Sequence, residues 1–338
     1  MAAAIALATR GRGRTAPNPN VGCLIVRQGR VVGRGWTQPG GRPHAEVMAL
    51  EQAGAAAEGA TVYVTLEPCA HQSPRGPACA DLLTAARPAR VVAALADPDP
   101  RTAGRGLARL RAAGIAVTEG VQAEAARRAM AGFLTRQALG RPHVTLKLGL
   151  SLDGRIALPS GESRWITGPE ARAHGHLERA RADAILVGRG TFEADAPRLD
   201  VRLEGLEERS PRRFLLSRRP CASRGPTPHR DPDSTDQEMD PRFRGGDGWE
   251  TISHPAAIAT LPVNDLLIEG GAATASAFLA ADLVDRLLLY RAPILIGEGR
   301  AALGDIGLAS LADAHGRWRL LDSRMLGSDR IEVYERAR

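Results

Sequence analysis

Apolar and polar residues alternate in short bursts along this chain, and most bursts are followed by a stretch with helical spacing. Val21 to Val26 and Arg30 to Trp36 alternate on either side of Gln28-Gly29, which predicts a hairpin. A helical pattern then covers Ala45 to Ala57, followed by a strand over Thr61 to Leu66 and a helix near Ala80 to Ala86. Val91 to Ala96 reads as an apolar strand, Leu107 to Ala113 as a helix, Ile115 to Thr118 as a short strand and Ala123 to Ala138 as a longer helix. Strands interleaved with helices predict an α/β sandwich.

The pattern stops at Arg141-Pro142, since a residue before proline disfavours the helical conformation, and a new strand opens at His143. We expect a domain over 1–140 and a second over 141–338. The second half has strands at Val144 to Leu150, Ala184 to Val187, Arg213 to Leu216, Asp265 to Ile268 and Arg286 to Tyr290. Helices are expected at Pro169 to Arg181 and Ala272 to Ala281, making this half α/β as well. Ser223 to Trp249 fits neither half. It is nearly devoid of aliphatic residues and rich in Pro, Asp, Arg and Gly, so it is expected to be a flexible insert between two strands.

A length of 338 residues accommodates two such domains. An aromatic content of 4% argues against nucleic-acid binding by stacked aromatic platforms. The net charge of +7 suits anionic ligands, but the arginines are spread along the chain rather than gathered in one run, so no nucleic-acid polymer is implied. The start is a short Ala-rich helical pattern running into Arg10 and Arg14, without a secretory signal, and no apolar run approaches the roughly 20 residues of a membrane span. A cytoplasmic setting with no membrane partner is expected. There the four cysteines, Cys23, Cys69, Cys79 and Cys221, are better placed to bind metal than to pair.

His44-Ala-Glu46, Pro68-Cys69 and Cys79 supply that chemistry. One imidazole and two thiolates leave the fourth tetrahedral position of a zinc ion open to water, as a catalytic site requires. Glu46 is then the proton shuttle between that water and a departing amine. Pro43 places the triplet at a helix start, where His44 and Glu46 can turn to the same point; inside a helix, residues two apart diverge. Taken singly, the cysteines would pass for small buried hydrophobes and His44 for a surface histidine. Jointly they specify hydrolytic deamination of an amino-substituted ring.

Nine residues separate Cys69 from Cys79, where deaminases of nucleic acids and free nucleosides usually place two. The longer loop brings Arg75 near the metal pocket, where it could hold a phosphate or a polar tail, and leaves the part played by His71 open. A base deaminase acting on tRNA or DNA would call for the short spacer. A structural zinc domain would call for a fourth strong ligand near Cys79 and would leave Glu46 without a purpose. A deaminase whose second half is weakened by the insert is a third alternative.

These residues resemble the bifunctional deaminase–reductase family of riboflavin biosynthesis. The matching stretches are Ala16-Pro-Asn-Pro-Asn-Val-Gly-Cys23, Pro43-His-Ala-Glu46, Tyr63-Val-Thr-Leu-Glu-Pro-Cys69, Gly76-Pro-Ala-Cys79, Asp97-Pro-Asp-Pro100 and Gly104-Arg-Gly106. The resemblance continues through Leu146-Lys-Leu-Gly-Leu-Ser-Leu-Asp-Gly-Arg-Ile-Ala157, Ser160-Gly-Glu-Ser-Arg-Trp-Ile-Thr167, Ile185-Leu-Val-Gly-Arg-Gly-Thr191, Asp195-Ala-Pro-Arg-Leu199 and Ile268-Glu-Gly-Gly271. It implies a cytidine-deaminase-like α/β/α sandwich followed by a dihydrofolate-reductase-like α/β domain that uses NADPH to reduce the ribose of a phosphorylated aminopyrimidine.

Carried over residue by residue, the resemblance implies that Gly149, Trp165, Thr191, Asp195, Ser217 and the segment Gly271, Ala272, Ala273, Thr274, Ala275, Ser276 and Ala277 contact NADPH. It implies that Asn20 contacts the pyrimidine at the zinc site, that Ser163, Arg179, Leu199, Arg202 and Glu269 hold the substrate of the reductase half, and that the chain self-associates as a homo-oligomer. Arg179 and Arg202 suit phosphate, because a guanidinium fork matches its oxygens in two-point fashion. Arg218 and Arg219 would favour NADPH over NADH through its extra phosphate.

Overall fold

The computed structural model describes residues 1–72, 74–217 and 248–338. Five strands form the first sheet: β1 Gly22–Arg27, β2 Arg30–Trp36, β3 Thr61–Val64, β4 Arg90–Ala93 and β5 Ala116–Thr118, in the order β2-β1-β3-β4-β5. The hairpin β1–β2 is antiparallel, and β3, β4 and β5 run parallel to one another. Six helices accompany them: α1 Ala2–Ala8, α2 Ala45–Ala53, α3 Cys79–Ala86, α4 Arg105–Ala112, α5 Ala123–Ala129 and α6 Ala131–Leu139. Val62, Val64, Val91 and Ala93 point from the strands into one core with Leu83, Leu107 and Leu110 from the helices.

Alanines at positions 45, 49 and 53 form the buried face of α2. They lie against Gly33 and Gly35 of β2, where an added Cβ would meet the Ala49 and Ala45 carbonyls at 2.2 and 2.0 Å. Small residues on both sides thus set α2 directly on the hairpin and fix where its first residue stands. The helical pattern expected over Ala45 to Ala57 ends as a 3₁₀ turn after Ala53, and the long helix expected over Ala123 to Ala138 is two helices joined at Met130 (φ −113°, ψ 21°).

The second sheet has eight strands in the order β10-β9-β8-β11-β6-β12-β15-β14. These are β6 His143–Leu150, β8 Ala184–Gly188, β9 Arg212–Leu216, β10 Trp249–Ile252, β11 Asp265–Ile268, β12 Arg286–Arg291, β14 Trp318–Leu326 and β15 Asp329–Arg336. A two-stranded ribbon pairs β7 Arg155–Ala157 with β13 Arg300–Ala301. Helices α7 Pro169–Ala180, α8 Arg189–Asp195 and α9 Ala272–Ala280 complete this half. Strands β10 to β12 pair in parallel, while the C-terminal hairpin β14–β15 adds antiparallel. Trp249, expected at the end of an insert, instead begins β10; the remainder of that expected insert, apart from Gly248, lies outside the described residues, as do Arg218, Arg219 and Cys221.

Contacts join the halves around Arg12, whose guanidinium lies 3.2 Å from Asp265 at the start of β11, and Arg136, which donates to the Val263 carbonyl at 2.9 and 2.7 Å. At the crossover into the second sheet, Arg141 grips Asp285 with two bonds of 2.7 and 2.9 Å, and the same carboxylate accepts the Val144 N–H at 2.9 Å. Burial favours the neutral acid, but Arg141 and the amide overturn this and hold the Asp285 carboxyl below its usual range. Arg141→Ala leaves that carboxylate buried, with the more exposed Arg338 at 3.2 Å as its remaining ion pair among the described residues. It should lower the stability of this half by about 3 kcal/mol, read as a fall in its denaturant midpoint; an unchanged midpoint would contradict the reading.

Candidate active sites

His44 caps the N-terminus of α2 and Cys79 is the first residue of α3, so both stand where helix amides lack intrahelical partners. Cys69 follows the end of β3 on the turn made by Pro68. The three meet. His44 Nδ1 lies 3.3 Å from Cys79 Sγ and 3.7 Å from Cys69 Sγ, and the three donor atoms all fall within 4.8 Å of one another. Tetrahedral ligation with zinc–sulfur bonds of about 2.3 Å and zinc–nitrogen bonds of about 2.0 Å separates N from S by about 3.5 Å, so the spacing fits the ion. The donor set fits it too, being one imidazole and two soft thiolates.

Electrostatics favour negative sulfur here. The Cys79 side chain, the His44 ring and the Cys79 N–H, 3.3 Å away, bond to Cys69 Sγ, and together they lower the Cys69 thiol to about 4. Cys79, whose own proton serves that bond, is pushed upward until a cation replaces the proton. Glu46 is buried on the first turn of α2, and burial raises its carboxyl to about 7. A dication held by its neighbours would draw it down again, leaving a desolvated carboxylate beside the metal.

The role of Glu67 was not legible in the sequence motif that contains it. Its buried carboxylate accepts four backbone N–H bonds, from Asp97, Gly104, Gly106 and Leu107, at 2.9 to 3.2 Å. The Asp97-to-Gly106 loop is thereby clamped onto the turn that delivers Cys69. Gly106 is required there, since an added Cβ would sit 2.0 Å from the Pro68 carbonyl. His71 bonds Thr102 on the same loop at 3.2 Å, and Arg75 donates to the Gly40 carbonyl at 2.9 Å. Asn20 is buried with its amide donating to the Ala8 and Ala129 carbonyls at 3.1 and 2.8 Å.

The second site is a cavity of about 1220 Å³ at the C-terminal ends of β6, β8 and β11. The N-termini of α8 and α9 open onto it through Arg189, Gly190, Thr191, Gly271, Ala272 and Ala273. The Gly271 N–H donates to Thr191 Oγ1 at 3.0 Å and couples the two helix starts. Of the residues expected to contact cofactor, Gly149, Trp165, Thr191, Asp195, Gly271, Ala272, Ala273 and Thr274 line the cavity. Ser217, Ala275, Ser276 and Ala277 lie outside the lining. Ala275 is in the core, Ser276 accepts the Gly304 N–H at 2.8 Å, and Ser217 accepts from Arg189 at 3.1 Å.

Ser163, Arg179, Leu199, Arg202 and Glu269, expected to hold substrate, all line the same cavity. Arg179 embraces Glu269 with bonds of 2.7 and 2.9 Å and donates to the Asp200 carbonyl at 3.0 Å, so its fork is engaged. Arg202 is more exposed, with Asp200 at 3.5 Å its one ion pair among the described residues, and is the freer arginine. Leu199 is buried in the left-handed region (φ 54°), a strained backbone position for a bulky residue beside the cavity.

Lys147, missed in the sequence, completes the floor. Its ammonium lies 3.6 Å from Glu269 and 5.7 Å from the centroid of the Tyr290 ring. Burial would raise the Glu269 carboxyl, but Lys147 and Arg179 outweigh it and hold it at about 2. Trp165 stands exposed at the rim with the Arg172 guanidinium 4.6 Å over its ring.

Family models for the cytidine and deoxycytidylate deaminase zinc-binding region and for the RibD C-terminal domain match residues 1–95 and 142–331. The chain is 42% identical to riboflavin biosynthesis protein RibD of Escherichia coli (strain K12), covering 97% of this chain and 96% of that protein. The chain belongs to the RibD family. RibD of Haemophilus influenzae is 39% identical over 97% of this chain and 94% of its own. Among solved structures, Acinetobacter baumannii RibD superimposes with a TM-score of 0.83 at 38% identity, covering 100% of this chain and 98% of that one. The Thermotoga maritima diaminohydroxyphosphoribosylaminopyrimidine deaminase/5-amino-6-(5-phosphoribosylamino)uracil reductase gives 0.85 at 31% identity, covering 100% and 97%. RibD proteins join a zinc deaminase to an NADPH-dependent reductase, and this chain has both halves.

Two outcomes test the assignments. Cys69→Ala and Cys79→Ala should each reduce bound zinc, measured by elemental analysis, from one per chain to near zero, whereas Glu46→Gln should keep the zinc and lose ammonia release by about 10³-fold. Glu269 has a folded value below its unfolded one, near 4.3, so its contribution to stability is complete above that pH and disappears as pH falls through about 2. Glu269→Gln should therefore flatten the acid limb of the stability profile; an unaltered limb would count against the pairing with Lys147 and Arg179.

Proposed function

We propose that this chain catalyses two consecutive reactions of riboflavin biosynthesis on one phosphorylated aminopyrimidine. Residues 1–140 hydrolyse the amino group of 2,5-diamino-6-(5-phosphoribosylamino)pyrimidin-4-one, and residues 141–338 reduce the ribose of the product to a ribityl chain. The observation that carries this reading is the presence, on one chain, of a three-donor metal cluster with a buried carboxylate and a large cavity floored by Lys147 and Glu269. In this reading the reactions run in the cytoplasm and in a homo-oligomer.

In the first half, zinc held by His44, Cys69 and Cys79 supplies Lewis acidity at neutral pH. Glu46 takes the proton of the attacking water, an uptake its burial favours, and then passes it to the leaving amine. The oxygen of Asn20 would accept from the ring, and Arg75 on the long spacer would hold the phosphoribosyl tail.

In the second half NADPH supplies the hydride. Its phosphates suit the paired helix starts at Thr191 and Gly271, whose free amides favour anions. Trp165 offers a flat apolar surface at the rim. Glu269, ionised across the working pH range, fixes Lys147 so that its ammonium faces the sugar oxygen that gains charge as the ring opens. Arg202 takes the substrate phosphate, while Arg179 positions Glu269.

The test uses the deaminated intermediate as substrate, so that the two steps are read separately. Glu46→Gln should oxidise NADPH with this compound at the wild-type rate. Lys147→Ala should lower kcat by about 10²-fold or more and Arg202→Ala should raise KM by about tenfold, with ammonia release from the first substrate unaltered in both. No NADPH oxidation by the wild-type protein with this intermediate would refute the assignment of the second half.

A further inference from the structure

Neither active site uses the arginines of the run Arg10-Gly-Arg-Gly-Arg14. Arg12 crosses to Asp265, and Gly13 (φ 73°) lets the backbone pass so close to the second half that an added Cβ would meet the Ala182 carbonyl at 2.9 Å. On either side of this crossing, Arg10 and Arg14 line a small cleft of about 160 Å³ together with Trp36, Gln38 and Arg209. Arg209 comes from the other half, on the turn Glu207–Arg209, and donates to the Arg10 carbonyl at 3.3 Å. The Arg10 guanidinium lies 4.5 Å over the Trp36 ring.

Among the described residues none of these three arginines has a carboxylate partner, although ion pairs abound elsewhere in the chain. Burial pushes the Arg209 guanidinium below its usual value, and the charges of Arg14 and Arg10 push the same way. Three cations facing one cleft repel one another unless an anion lies between them, and guanidinium forks match phosphate oxygens. The volume equals about five waters, which admits a phosphate group. Both walls lead to the chemistry. Arg14 accepts the Gly40 N–H on its carbonyl at 2.8 Å, on the loop that runs to His44, and the turn bearing Arg209 packs on α7, which carries Arg179.

We propose that this interdomain cleft binds the phosphate of a phosphate monoester, held between Arg14 and Arg209 with Arg10 stacked on Trp36 as its wall. The site is separate from both reacting centres and takes the same chemical group that the substrate carries.

The full-length protein labelled with 5-fluorotryptophan has four tryptophans, and Trp36→Phe identifies the Trp36 fluorine resonance. Titration with inorganic phosphate at constant ionic strength should shift that resonance to saturation. Arg14→Ala and Arg209→Ala should each weaken the titration by about tenfold, with zinc content and ammonia release at wild-type levels. Ribose 5-phosphate binding about tenfold more tightly than inorganic phosphate supports the site and makes a sugar phosphate its occupant. Equal binding supports the site with free phosphate as the occupant. A Trp36 resonance that does not move, or that moves alike in both variants and wild type, overturns the proposal. Since the signal is local to Trp36, that failure leaves the ammonia and NADPH measurements, and the two-reaction reading, standing.

Discussion

The free amides at the start of a helix need an electron-rich partner, and the candidate sites of both halves lie where that need arises. At α3 the Cys79 N–H reaches the Cys69 sulfur, so the same feature that begins the helix also stabilises the thiolate a metal requires. At α8 and α9 the first residues open onto the large cavity, and Thr191 joins the two helix starts. Because each helix follows a strand, the strand end and helix start together determine where a ligand meets the fold.

That placement depends in turn on buried carboxylates that hold loops rather than react. Glu67 fastens the Asp97-to-Gly106 loop to the Cys69 turn through four amides, and Glu269 keeps Lys147 and Arg179 in fixed positions on the cavity floor. Asp285 does similar work at the crossover between the sheets. Each is an acid whose removal from water is offset by several donors, and each therefore resists displacement of the backbone it binds.

Much of this was legible in the sequence where the signal was local. The hairpin around Gln28-Gly29, the zinc triplet and the strand–helix alternation follow from period and spacing, and the metal donors meet as their types require. The C-terminal hairpin escaped because β14 is largely exposed and rich in charge, so it lacks the alternation that marks a half-buried strand. Helix α8 buries none of its residues and leaves no amphipathic trace. The break at Met130 falls inside a run of continuous helical spacing, and the one glycine beside it, Gly132, sits within the first turn of α6 rather than at the break. Long-range partnerships such as Lys147 with Glu269 and Glu67 with the Gly104 loop join residues far apart in the chain, and only folding brings them together.

The joining of two chemistries on one chain is tested most directly by stoichiometry. Zinc-loaded protein is mixed with the diaminopyrimidine substrate and excess NADPH, and ammonia and oxidised cofactor are measured in the same reaction. One NADPH should be oxidised for each ammonia released, with ammonia appearing first. Ammonia release with no NADPH oxidation would contradict the two-reaction reading.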